Sequence, residues 1–213
     1  RDPDGDWSSD VCSSDLRVAS EMETMGANYY VISGLDDIAW LLNIRARDVK
    51  CNPLTISYIV LSAKKYYLFI DDKKINSEVR FELEKANVEI KPYESIGEFL
   101  GKIKEGAILL DAARTSTWIY SSINIKILEA MDITTRFKAI KNDIQIKNVR
   151  KAMLRDGVAM VKFITWMKKT IKSRNITEIE ASDKIEEIRS AGENFYDLSF
   201  ASISAYKANA SMP

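Results

Sequence analysis

The stretch Ser33-Gly34-Leu35-Asp36-Asp37-Ile38-Ala39-Trp40-Leu41-Leu42-Asn43-Ile44-Arg45-Ala46-Arg47-Asp48-Val49-Lys50-Cys51-Asn52-Pro53-Leu54-Thr55-Ile56-Ser57-Tyr58-Ile59-Val60-Leu61-Ser62 decides how the rest of the chain is read. Its first half predicts a helix, because Ile38, Trp40, Leu41 and Leu42 follow an acidic first turn, Asp36 and Asp37, that suits the positive end of a helix dipole. Asn52-Pro53 then breaks the chain. Ile56, Tyr58, Ile59, Val60 and Leu61 are β-branched, aromatic or apolar in a run too short for a surface helix, so the second half predicts a buried strand.

Taken together, Leu35 to Arg45, Asp48-Val49, Asn52-Pro53 and Ser57-Tyr58 form a pattern that resembles the second domain of the long-form Xaa-Pro aminopeptidases, of the creatinase and prolidase superfamily. One departure is visible at Arg45-Ala46-Arg47, where that family usually carries Arg-Gly before the Asp. The resemblance extends over residues 17 to 213. The run 138 to 143, then Lys147 to Ala152 and Arg155 to Ala159, is similar to the entry into that family's catalytic "pita-bread" domain, and Phe195 to Phe200 with Ile203-Ser204 is similar to its first sheet strand. The implied organisation is an α/β, creatinase N-terminal-type mixed-sheet domain over 17–138. The truncated first part of the α+β pita-bread domain follows over 139–213.

The opening of the chain reads differently. Asp6-Trp7-Ser8-Ser9-Asp10-Val11-Cys12-Ser13-Ser14-Asp15-Leu16 resembles the in-frame translation of a sequencing-library adapter, and residues 1–16 otherwise read as a polar, Ser/Asp-rich disordered tail without the apolar core of a secretory signal. They are expected to be an artefact that packs against nothing. Setting aside Arg1, Asp2, Asp4, Asp6, Asp10 and Asp15 from 31 basic and 31 acidic residues leaves 30 and 26, a balance of +4 with no block of like charge. Nothing there argues for nucleic acid or an anionic membrane. Cys51 is then a single cysteine, which excludes an internal disulfide and fits a reducing cytoplasm, and no apolar run approaches the ~18 residues of a membrane span.

Working outward, Val18, Met22 and Met25 predict a helix stopped by Gly26, and Asn28 to Ile32 a strand. Tyr66 to Ile70 predicts the hairpin partner of the strand ending near Leu61, with Asp71-Asp72 closing it. Helices over 76–86 and 95–104 alternate with strands at 88–90 and 107–110, the signature of an α/β domain. Leu110-Asp111-Ala112-Ala113-Arg114-Thr115-Ser116 is polar enough for a site, but a turn ahead of a packed helix is the stronger reading. Val149, Met153, Gly157, Met160, Ile164, Met167 and Ile171 predict one long helix with an apolar stripe whose methionines fill a core. Thr177 and Glu180 predict a capping box, and Phe195 to Tyr206 a strand.

Chemistry is the missing part. The resemblance implies two divalent metal ions, manganese foremost, held by Asp, His and Glu so that a bridging water attacks the bond before proline. This chain has no histidine, and the family's ligands align beyond Pro213, so no catalytic or metal-ligating residue is assigned. The adjacent pairs Asp36 with Asp37, Asp71 with Asp72, and Glu186 with Glu187 do not face one another on a helix and are expected to be charged surface. No Gly-x-Gly occurs among the 8 glycines, and Cys51 has no histidine base. The expectation is therefore an inactive piece of a cytoplasmic aminopeptidase whose substrate is a peptide with proline second, with a homodimer left open. The alternative is a non-catalytic interaction module on the same scaffold.

Overall fold

A computed structural model describes residues 17–211; the adapter-like segment lies outside them. Two compact units are formed, one running through Val49 and from Pro53 to Ile140, the other comprising Lys50–Asn52 and Lys141 onward.

In the first unit, helix α1 (17–24) ends at Gly26, whose φ of +77° is the left-handed conformation that glycine adopts without a Cβ penalty. Then follow β1 (Tyr29–Ile32), α2 (Leu35–Leu41), β2 (Ser57–Ser62), β3 (Tyr66–Ile70), α3 (Ser77–Lys85), β4 (Val88–Pro92), α4 (Ile96–Lys102), β5 (Ala107–Leu110), α5 (Thr117–Ser121), β6 (Lys126–Glu129) and α6 (Ile133–Ala139). The strands make one mixed sheet in the order β4-β3-β2-β1-β5-β6. The hairpin is in register with Ile59 opposite Leu68, β1 runs antiparallel to β2, and β1, β5 and β6 run parallel to one another.

The period-two alternation of the strands sorts their side chains into two apolar layers. Tyr30, Ile32, Ile59, Leu61, Leu68, Ile70 and Leu109 face one layer with Met22 of α1, Ile38 and Leu41 of α2, Leu83 of α3 and Ile133 of α6. Val31, Val60, Phe69, Ile108 and Leu110 face the other with Ile96 and Leu100 of α4 and Ile119 of α5. Each fully buried aliphatic contributes about 2 kcal/mol over leaving it in water, so this layering is the main stabilising term. Local signals set the helix starts: Asn76 accepts from Val79 N at 2.8 Å ahead of α3, and Ser116 accepts from Ile119 N at 3.4 Å ahead of α5. Helix α6 and strand β6 are additions to the elements read from sequence.

In the second unit, α7 (Asp143–Thr170) opens on a full capping box, in which Asn142 accepts from Gln145 N and the Gln145 side chain accepts from Asn142 N. Helix α8 (Glu178–Ser190) folds back along it, with Arg189 Nε donating to Asp156 Oδ1 at 2.7 Å and Ala159, Ala181 and Ile185 buried between. Three expectations are corrected here. The stripe on α7 is only partly core filler, since Met160 and Met167 are half-buried while Met153 is 67% exposed and Ile171 63%. The predicted capping box at Thr177 is half made: its hydroxyl accepts from Glu180 N, but the Glu180 carboxylate turns to Arg174. Residues 195–206 form no strand, because a strand needs a hydrogen-bonding neighbour and the described residues of this unit supply none.

Candidate functional site

Strands β1, β5 and β6 end side by side, and in open α/β sheets the carboxyl ends of parallel strands are where ligand crevices form. Polar side chains gather there. From the start of α2 come Asp36 and Asp37, from the turn after β5 come Asp111 and Arg114, and from α6 come Asp132, Thr134 and Thr135 at its start and Lys138 in its last turn. Tyr30 reaches up from β1. Gly34 sits among them because a Cβ at that position would lie 2.5 Å from Arg114 Nη2 and 2.7 Å from Asp37 Oδ2.

Arg114 is the hub. Its guanidinium pairs through Nη1 with Asp37, donates from Nη1 to Thr135 Oγ1 at 2.9 Å, and donates from Nη2 to Asp36 Oδ1 at 2.6 Å. The planar fork fixes its donors in direction, so that each carboxylate is held at a set angle. Lys138 completes the clamp, pairing with Asp36 and lying 3.1 Å from Asp37 Oδ1, while Thr135 Oγ1 donates to Asp37 at 3.2 Å. Asp37 has no exposed surface, and these partners keep its charge compensated. Partial burial disfavours the ionised form of Asp36, but hydrogen bonds from Lys138 and Arg114 outweigh it and hold its pKa below the ordinary value.

Asp132 is the least satisfied member. Its Oδ1 accepts from the Tyr30 hydroxyl at 2.8 Å, its Oδ2 is buried without a hydrogen-bond partner among the described residues, and Arg114 Nη1 stands 3.7 Å from that oxygen. Burial pushes the Asp132 carboxyl up to about 6; the Tyr30 bond and Arg114 pull down, the Asp37 and Asp111 carboxylates push up. Burial, then Asp132 itself, raises the Tyr30 phenol well above its usual range.

Two readings made from sequence change here. Asp37 is not charged surface but the buried anchor of the network, whereas Asp36 beside it stays half exposed; Asp71 and Asp72 remain on the surface, Asp71 accepting from Lys73 N and Asp72 pairing with Arg80. Glu187 stays on the surface, paired with Lys184. The 110–116 segment is both things at once: Ser116 caps the packed helix α5, while Asp111 and Arg114 enter the cluster. Tyr30, Asp132, Thr135 and Lys138 carried no local signal, being brought to Asp37 and Arg114 from up to about a hundred residues away. Cys51 lies partly buried in a loop with φ +62°.

The cluster is no catalytic centre of the expected kind. Where a divalent ion would have to sit between these carboxylates, the Arg114 and Lys138 cations already sit, and among the described residues no three His, Cys, Asp or Glu side chains form a metal-binding group. The residues present do not fit a dinuclear metal centre.

Residues 14–145 match the family model described as the creatinase/prolidase N-terminal domain. The chain belongs to this family. It is similar to Xaa-Pro aminopeptidase 1 of Dictyostelium discoideum, 35% identical over 198 residues, covering 90% of this chain and 31% of that protein. A probable Xaa-Pro aminopeptidase P of Talaromyces stipitatus is 34% identical over 212 residues, of which the chain covers 32%. The crystal structure of an X-prolyl aminopeptidase from Caenorhabditis elegans, described as a cytosolic enzyme with a di-nuclear active site, superposes with a TM-score of 0.87 at 30% identity, over 92% of this chain and 33% of that one. A Xaa-Pro dipeptidase from Bacillus anthracis shares the fold alone, with a TM-score of 0.67 at 16% identity. The chain thus spans about a third of the length of the Xaa-Pro and X-prolyl aminopeptidases it matches. Among the described residues no helix is long and apolar enough to cross a membrane.

Proposed function

We propose that this chain is the scaffold portion of a cytosolic, metal-dependent aminopeptidase that releases an N-terminal residue preceding proline, and that the portion is itself inactive. The observation that carries this is likeness through 90% or more of the chain to Xaa-Pro aminopeptidases, together with a described polar cluster whose centre is filled by its own cations. In this reading the metal-holding groups, for manganese by preference, belong to the part of the relatives' length that this chain does not span. A chain with no histidine lacks the imidazole that such a centre uses beside its carboxylates.

The test is a peptide-cleavage assay. The purified 213-residue chain should release nothing from an Xaa-Pro peptide with or without manganese, whereas the same chain extended by the rest of its gene should release the N-terminal residue, and a chelator should abolish this. An extended chain with no such cleavage would defeat the assignment, and metal-dependent turnover by the 213-residue chain, free of host peptidases, would place the active site within it.

A further inference from the structure

Asp132 stands immediately before α6, and the start of that helix is held by an unusual set of bonds. Tyr30 of β1 donates to Asp132 Oδ1 at 2.8 Å and lies 3.3 Å from Thr134 Oγ1; Asp111, after β5, accepts from Asp132 N at 3.4 Å. From α2, Asp37 takes Thr135 and Lys138, and Asp36 takes Lys138 as well. Arg114 bridges to both α2 carboxylates and to Thr135. The charged groups that face Asp132 are therefore Asp37, Asp36, Asp111, Arg114 and Lys138, four carboxylates counting its own against two cations.

That imbalance falls on one atom. Asp132 Oδ2 is buried and accepts no hydrogen bond among the described residues, and its cation at 3.7 Å is already committed to Asp36, Asp37 and Thr135. An ionised Asp132 must either draw Arg114 away from α2 or face the Asp37 and Asp111 carboxylates uncompensated. A proton on Oδ2 removes the charge and with it the repulsion from Asp37 and Asp111, leaving every bond of Arg114 in place. We propose that Asp132 is a proton-operated latch: uncharged, it locks the first turn of α6 to β1 and α2, and ionised, it releases that turn.

The working range follows from the burial that pushes this carboxyl up to about 6. Because the closed form holds its proton more tightly than an open form with the ordinary aspartate value of about 3.9, the latch's contribution is fully present below about 4 and is lost as pH rises through about 6.

The experiment is hydrogen exchange on the whole 213-residue chain at about pH 5 and pH 7, corrected for the intrinsic exchange rate. With those two pKa values, the opening constant of the amides in 133–139 should be about tenfold larger at the higher pH. Asp132→Asn, which carries a donor in place of the acid proton, should remove that dependence and keep 133–139 as protected at both values as the parent is at the lower one. Equal opening of the parent at both values overturns the latch, as does a pH dependence that survives in Asp132→Asn. Should the variant not fold, the parent decides alone: a side-chain carboxyl carbon signal of Asp132 titrating near 6 supports the latch, and a midpoint below about 4.5 overturns it.

Discussion

The Tyr30 hydroxyl donates to Asp132 Oδ1 at 2.8 Å across 102 residues of sequence. The bond joins the first strand of the sheet to the residue that starts its last helix, and both side chains are buried. It is the only hydrogen bond found on the Asp132 carboxyl among the described residues, so the two groups stand or fall together.

Tyr30→Phe should lower the stability of the first unit by about 1 to 3 kcal/mol, the cost of leaving a buried acceptor without its donor. It should also move Asp132 further up, since the Tyr30 bond is among the influences that favour its ionised form. Urea unfolding and the Asp132 carboxyl titration read the two effects separately; an unchanged titration would show that the bond is not formed in solution.

Arg114→Met should cost about 3 kcal/mol, the low end for breaking a buried ion pair, because Asp37 is fully buried but Arg114 is a third exposed and Lys138 remains. Arg114→Lys should recover only part of this, since the ammonium keeps the charge but lacks the planar, five-donor geometry by which the guanidinium reaches Asp36, Asp37 and Thr135. Gly34→Ala is destabilising for a related reason, its Cβ meeting Arg114 Nη2 at 2.5 Å. The double variant Gly34→Ala with Arg114→Met should therefore lose less stability than the two single losses added, a coupling that denaturation of all four proteins measures.

Asp48 should behave in the opposite sense to Asp132. It accepts from Lys74 Nζ at 2.6 Å, from Ile56 N at 2.7 Å and from Thr55 Oγ1 at 3.3 Å, and Lys74 first of all holds its pKa below the ordinary value. Its contribution is present above the unfolded pKa of about 3.9 and is lost as pH falls through the lower folded value. Asp48→Asn should thus weaken protection of the 54–57 amides at neutral pH, and its difference from the parent should shrink as pH falls below about 3.9; a variant indistinguishable from the parent at neutral pH would count against it.

Local pattern determined much of this protein. The hairpin β2–β3 follows from two adjacent apolar runs around a short polar turn. Gly26 marks the end of α1, and Asn76 and Asn142 start their helices with their own side chains, because each of these signals acts within four residues. The family pattern from Leu35 to Tyr58 placed the fold for the same reason, as a long contiguous string. Tertiary structure alone decided the rest. Strand β6 is four residues with two exposed ends of its burial pattern, visible as a strand only through its pairing with β5. Residues 195–206 have strand-like composition yet no strand, since the backbone bonds that would make one need a neighbour. Asp37 looked like solvated charge, as its half-exposed neighbour Asp36 is, because neighbouring residues in a helix do not face one another; it became a buried anchor because the fold carries Arg114 and Lys138 to it. Charge burial depends on partners, and these partners lie 77 and about a hundred residues away, where no periodicity in the sequence reaches.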